Sequence, residues 1–172
     1  KYSARLAKAA AAGERVLDIL ERVPEVRDLP QAVPAPRFEG RVRFENVSFA
    51  YESERGILQQ VEFELPPGQI AAVVGKSGIG KSTLINLLLR LYDPSQGRLL
   101  IDGRDIRDYT LASLRSQIAV VLQDTLLFAA PVWENIAYGN SEATDAEIEA
   151  AARLANADAF IRSLPEGYDT MV

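Results

Sequence analysis

The stretch Ile70-Ala71-Ala72-Val73-Val74-Gly75-Lys76-Ser77-Gly78-Ile79-Gly80-Lys81-Ser82-Thr83 decides the fold. Its first five residues are continuously apolar and partly β-branched, the composition of a strand covered on both faces. Gly75 to Ser82 then matches G-x-x-x-x-G-K-[ST], and a helix is predicted to begin near Lys81, with Leu84 to Leu91 helical in length and composition. Strand, glycine loop and helix in that order form a setting that can grip a phosphate. Three glycines let consecutive backbone N–H groups converge on one anion, the helix N-terminus adds positive partial charge, and Lys81 adds a full one. The Ser82 hydroxyl is suited to a Mg²⁺ ion bridging β and γ oxygens. The candidate phosphate-binding residues are therefore Gly75, Lys76, Ser77, Gly78, Ile79, Gly80, Lys81, Ser82 and Thr83. The rival reading is a tight glycine turn carrying a solvated lysine.

Upstream, Val42 and Phe44, a slip at Asn46, then Val47, Phe49 and Tyr51 follow a period of two, which predicts a strand with a bulge or bend. Ser53-Glu54-Arg55-Gly56 reads as a turn, and Val61, Phe63 and Leu65 alternate again before Pro66-Pro67-Gly68. An antiparallel opening is expected. Tyr51, at the end of its strand, reads either as an aromatic packed on its own sheet or as a ring stacked on a purine base. Pro24, Pro30, Pro34 and Pro36 predict an extended, semi-rigid linker over 24–38, and residues 1–23 carry the apolar stripe of a basic amphipathic helix.

Downstream, Gly97 to Ile101 predicts a short strand closed by Asp102-Gly103, and Ile118 to Leu122 a second buried-type strand. Gln123 ends that strand. In an open parallel sheet the carboxyl ends of strands face the ligand crevice, where a neutral amide reaches a metal-bound water without adding charge; a capping or turn glutamine is the other reading. From Pro131, placed as a first helical residue, the chain turns helical, and Thr144-Asp145-Ala146-Glu147 reads as a capping box.

Composition closes off several functions. The 172 residues contain no cysteine and no histidine, so disulfides, thiolate nucleophiles, a Ser-His-Asp triad and His-ligated metals are excluded. A net charge of −5 makes a poor footprint for a nucleic-acid binder, and none is expected as a partner. No apolar run approaches the ~20 residues that span a bilayer. The chain begins at Lys1 without Met and stops at Tyr168-Asp169-Thr170-Met171-Val172 without a terminating signal, so both ends read as cut from a longer polypeptide.

The set Phe49-Ala50-Tyr51, Gly75 to Thr83, Ile101-Asp102-Gly103, Val121-Leu122-Gln123-Asp124, Leu127-Phe128 and Glu134-Asn135-Ile136-Ala137-Tyr138-Gly139 resembles the ATP-binding domain of exporter-type ABC transporters, from about Glu39 to Val172. The resemblance implies that Tyr51 stacks on adenine, that residues 75–83 wrap the phosphates, and that Gln123 approaches Mg²⁺ and the attacking water. Lys81 and Gln123 are then the catalytic candidates, Ser82 and Gln123 the metal ligands, and ATP and Mg²⁺ the cofactors. It further implies that 1–23 is the cytoplasmic end of a preceding transmembrane-domain helix, with 24–38 the linker and 39–172 a partial ATP-binding domain. The implied partners are a transmembrane domain, on the same or an associated polypeptide, and a second ATP-binding domain in a homo- or heterodimer. The implied place is the cytoplasmic face of the membrane.

The expected fold is α/β, a P-loop NTPase core with an antiparallel β subdomain and the start of a helical subdomain, truncated before the signature motif. The Leu-Ser-Gly-Gly-Gln signature, the Mg²⁺-coordinating Asp with its neighbouring catalytic Glu, and the switch His of the family are absent from this sequence and would lie beyond Val172. The parent is expected to hydrolyse ATP, and this chain alone is not. Ile79 departs from the small residue usual in the family's loop. The alternatives are a non-transport ABC-type ATPase, which would carry coiled-coil heptads that are absent here, and a regulatory nucleotide-binding module. A GTPase would need an Asn-Lys-x-Asp motif, and the sequence has none.

Overall fold

A bulged hairpin organises the first half of the molecule. Strand β1 (Val42–Phe49) pairs antiparallel with β2 (Leu58–Leu65) on one side and with β3 (Gln96–Ile101) on the other. The short β4 (Arg104–Asp105) follows β3, giving the order β2-β1-β3-β4. The slip at Asn46 is a real bulge: Asn46 has φ +48°, and the register shifts there against both neighbours. Because the bulge restores the inward phase, Phe44, Val47 and Phe49 are all buried on one face. Gly97 lies against it so closely that a Cβ would sit 2.3 Å from the Glu45 and Asn46 carbonyl oxygens, and its φ is +77°. Asp102 and Gly103, both at positive φ, turn β3 into β4.

The computed structural model describes residues 13–17, 19–51, 56–122 and 126–172, in two compact units, 1–119 and 120–172. In the first, helix α1 (Lys81–Leu88) presses Leu87 into the core formed by Phe44, Val47, Phe49, Leu58, Leu99, Ile101, Ile106, Tyr109 and Leu114. The 3-10 turn Ile106–Asp108 and helix α2 (Leu111–Arg115) complete this core through Ile106 and Leu114. Helix α1 stops earlier than the apolar composition up to Leu91 predicts, because Arg90 adopts φ +50°. Its guanidinium is buried, donating to Asp93, the Tyr109 carbonyl and the Arg27 carbonyl. Arg115 donates to the carbonyls of Leu89 and Arg90, satisfying the helix C-terminus.

Two expected strands are corrected. Residues 70–74 and 118–122 form no strand, and Ile70, Val74 and Val121 are almost fully exposed. A β-branched run becomes a strand only when another strand supplies its ladder, and among the described residues none does. The sheet that forms is the antiparallel one, whose partners lie close in sequence.

The proline-rich segment forms neither helix nor strand beyond a bridge at Val33, turns at Pro30 and Gln31 where the Ala32 N–H donates to the Leu29 carbonyl, and is fastened down. Val33 pairs with Tyr109 through bonds to Asp108 and Thr110, and Asp28 accepts from the Leu111 N–H. The Ala35 N–H donates to Ser113, the Phe38 N–H to Gln117, and the amides of Glu39, Gly40 and Arg41 all donate to the Asp102 carboxylate. Phe38 meets Tyr109 edge-on at 5.4 Å between ring centroids. Of the amphipathic helix expected over 1–23, residues 13–17 and 19–20 are helical with Val16, Leu17, Ile19 and Leu20 exposed; residues 1–12 and Asp18 lie outside the described residues.

The second unit is helical: α3 (Val132–Ala137), α4 (Asp145–Leu154) and α5 (Asp158–Arg162), then a 3-10 turn at Gly167–Asp169. Ile148, Ala152 and Ile161 form its buried seam. The capping box at Thr144 and Glu147 is complete. Pro131 caps α3 instead of opening it, because its ψ of 154° is extended and its carbonyl accepts from the Asn135 amide. Asn135 also stitches the preceding loop, bonding Phe128 at both its N–H and its carbonyl and donating to the Ala130 carbonyl.

Candidate phosphate-binding site

Residues 75–80 form a loop between the apolar run 70–74 and helix α1. Gly78 and Gly80 have φ of +82° and +99°, conformations that glycine reaches at no steric cost. Gly80 is the N-cap of α1, and a side chain there would meet Ile57 and Leu58 at 2.9 Å. The position thus needs glycine twice over, for its backbone angle and for its space. No side chain caps the helix, and no acidic residue stands in its first turn, so its leading amides and positive dipole end are left for an anion.

Lys81 folds back over this loop. Its Nζ donates to the Gly75 and Lys76 carbonyls at 2.9 and 2.8 Å, which holds the ammonium over the start of the loop. Thr83, in contrast, is buried and turns toward the core, so it anchors the helix while its neighbour Ser82 stays exposed. Lys76, Ser77 and Gly78 are exposed, and the Ile79 side chain is more than half exposed, lying over Gly75.

Tyr51 is half-buried and tied to the same helix. Its hydroxyl accepts a hydrogen bond from the Asn86 amide at 3.2 Å, and its ring meets Phe49 and Tyr92 edge-on, at 4.8 and 5.0 Å between centroids. The structure thus brings Tyr51 and α1 into one construction. Gln123 lies outside the described residues. Among the described residues no cluster of three or more carboxylates could hold a metal ion by itself.

Sequence reasoning missed Asn86, which bonds Tyr51, and, elsewhere in the fold, the roles of Arg90 and Asp102. Asn86 reads as an ordinary exposed helix residue, and its bond to Tyr51 needs the fold to be seen. Arg90, ending an apolar helix, reads as solvated. Asp102 carried a signal, since Asp before Gly marks a tight turn, but nothing indicated that its carboxylate would gather three amides 61 to 63 residues away.

A glycine loop opening an uncapped helix, with a lysine in its first turn, beside an antiparallel sheet, defines a P-loop nucleotide-binding unit. The chain belongs to the ABC transporter family, whose model matches residues 58–170. It is 48% identical over 171 residues to a putative multidrug export ATP-binding/permease protein of Bacillus subtilis, covering 99% of this chain and 30% of that protein. It is 46% identical to an ATP-dependent lipid A-core flippase of Syntrophus aciditrophicus, over 94% of this chain and 27% of the flippase. The ATP-binding cassette sub-family B member 6 of Rattus norvegicus is 50% identical over 92% of this chain and 19% of its own length. A solved bacterial Atm1-family ABC exporter with ATP bound superposes with a TM-score of 0.85 at 42% identity, over 96% of this chain and 29% of that one. The chain therefore spans less than a third of the length of the relatives it matches, and it matches the ATP-binding domain of exporter-type ABC transporters. Its fold class is the P-loop NTPase core with an antiparallel subdomain.

Proposed function

We propose that residues 75–83 bind ATP with Mg²⁺, as part of a longer ABC exporter that uses ATP hydrolysis to drive transport across a membrane. The observation that carries this is the uncapped start of α1, with Gly80 left-handed and Lys81 held over the loop. The donor set fits the phosphates: backbone amides, one ammonium and the exposed Ser82 hydroxyl. It also fits Mg²⁺, which keeps several waters and takes few protein ligands. When bound, the ion neutralises charge developing on the β and γ oxygens. Lys81 exchanges its two loop carbonyls for phosphate oxygens, Tyr51 offers its ring to the base, and Gln123 orients the attacking water and approaches the ion.

On the same reading residues 1–23 end a helix of the transmembrane domain, residues 24–38 link it to the ATP-binding domain over 39–172, and the unit works on the cytoplasmic face, paired with a second ATP-binding domain. This chain by itself hydrolyses ATP no faster than buffer, because the groups that complete the family's hydrolytic site are absent from its sequence.

Calorimetric titration of ATP-Mg into the wild type and Lys81→Ala tests the assignment. A charge-assisted contact contributes about 1.5–3 kcal/mol, so affinity falls by about tenfold or more. Equal affinity in the two proteins refutes it.

A further inference from the structure

The second unit contains a cavity of about 390 Å³ lined by Trp133, Asp145, Ile148, Glu149, Tyr168 and Asp169. Ile148 forms an apolar floor, and two aromatic rings and three carboxylates stand around it. The surrounding chain is strongly biased: residues 120–172 hold nine acidic residues against two arginines and no lysine, a net −7, whereas residues 1–119 hold seventeen basic and fifteen acidic. Anionic lipids and nucleic acids are repelled by such a surface, and a cation is drawn to it.

The unit already shows what this chemistry takes. The Arg162 guanidinium lies 5.5 Å from the centroid of the Tyr168 ring and bonds Glu149 and Asp158 at 2.9 Å. Ring and carboxylates together thus hold a guanidinium at one side of the cavity. Trp133, Asp145 and Asp169 repeat those ingredients, and among the described residues neither Asp145 nor Asp169 has an ion pair or a side-chain hydrogen bond. Trp133, the best of the rings for a cation, is 40% exposed.

We infer that this cavity is a docking site for an arginine side chain presented by a basic segment of a partner protein, the guanidinium lying over Trp133 between Asp145 and Asp169. The charge bias of the unit draws the segment in, and the aromatic walls select a flat cation over a compact ammonium.

Trp133 is the sole tryptophan of the chain, so its emission reports this cavity alone. The 172-residue protein is titrated with a capped tetra-arginine peptide, with capped tetra-lysine and tetra-glutamine as comparisons, in the absence of nucleotide. The expected result is a saturable change in Trp133 emission with tetra-arginine, several-fold weaker binding of tetra-lysine, and none of tetra-glutamine. Asp145→Asn with Asp169→Asn, checked for folding by circular dichroism, weakens tetra-arginine by about fivefold. Trp133→Phe, followed by calorimetry, weakens it as well. The inference is overturned if the emission does not saturate, if the double variant or Trp133→Phe binds as the wild type does, or if tetra-lysine binds as tightly as tetra-arginine. It is equally overturned if the protein self-associates through this cavity, since the occupant would then be a second copy.

Discussion

Replacing Arg90 by Met keeps an unbranched stem in the core and removes only the guanidinium. In the wild type that group, with 1% of the side chain exposed, supplies a proton to the Arg27 carbonyl at 3.1 Å, to the Tyr109 carbonyl at 3.4 Å and to Asp93 at 3.0 Å. The bond to Asp93 reaches a carboxylate about a third exposed and contributes at most about 1 kcal/mol. The Tyr109 carbonyl matters more, because its residue is buried and an acceptor left dry and unpaired costs about 1–3 kcal/mol, whereas Arg27 is exposed and water can replace the lost donor. Arg90→Met therefore destabilises the first unit by about 1–3 kcal/mol. At a urea slope of about 2 kcal/mol per molar, the midpoint falls by about 0.5–1.5 M. Arg90→Lys, whose ammonium cannot serve three diverging acceptors, falls between the two. Urea titrations of the three proteins by circular dichroism measure this, and a midpoint for Arg90→Met within about 0.3 M of wild type refutes the reasoning.

Gly97→Ala drives a Cβ into two carbonyl oxygens and is expected to cost more than about 2 kcal/mol, whereas Gly103→Ala, at similar φ but in open space, costs about 1; thermal melts separate the two. Tyr51→Ala weakens ATP binding, Tyr51→Trp retains it, and GTP binds comparably, because stacking reads no base edge; calorimetry showing no loss in the alanine variant leaves Tyr51 as a packing residue only. Burial pushes the Asp105 carboxyl up, but hydrogen bonds from the Arg107 guanidinium and amide outweigh it and hold the group below its ordinary value. Glu147 is held low by the amide and hydroxyl of Thr144, and Asp158 by the Tyr168 hydroxyl. A carboxylate depressed in the folded state stabilises fully above its unfolded value and loses that contribution as pH falls through the folded one, so stability is level down to about pH 5 and declines below about pH 4. Urea midpoints that rise between pH 5 and pH 3 contradict this.

The loop at 75–80 opening a helix at Lys81 and the capping box at Thr144 were legible because each is a local pattern whose geometry is complete within a few residues. The bulge at Asn46 was legible too, since the apolar period slips there. Ile70–Val74 was misread because its composition describes the environment a strand requires, and composition cannot supply the neighbour. Arg90 was invisible for the opposite reason: its neighbours along the chain are apolar, and the acceptors that make a buried charge tolerable lie 19 and 63 residues away. The strand ending left Tyr51 between packing on its own sheet and stacking on a base; its bond to Asn86 needed the fold.

The fastening of residues 27–41 has an unusual division of labour. What the segment contributes is mostly main chain, the amides of Val33, Ala35, Phe38, Glu39, Gly40 and Arg41 and the carbonyls of Arg27, Val33 and Pro36; the main chain of Asp108 and Thr110 meets Val33, and the side chains of Arg90, Asp102, Ser113 and Gln117 meet the rest. The prolines at 30, 34 and 36 fall between the donating positions, where a missing N–H removes nothing. The address of this segment is thus written largely elsewhere in the chain. Apart from Asp28, Ala35 and Phe38, whose side chains bond or pack, its own letters are free to drift, provided no proline enters at 33 or 39–41.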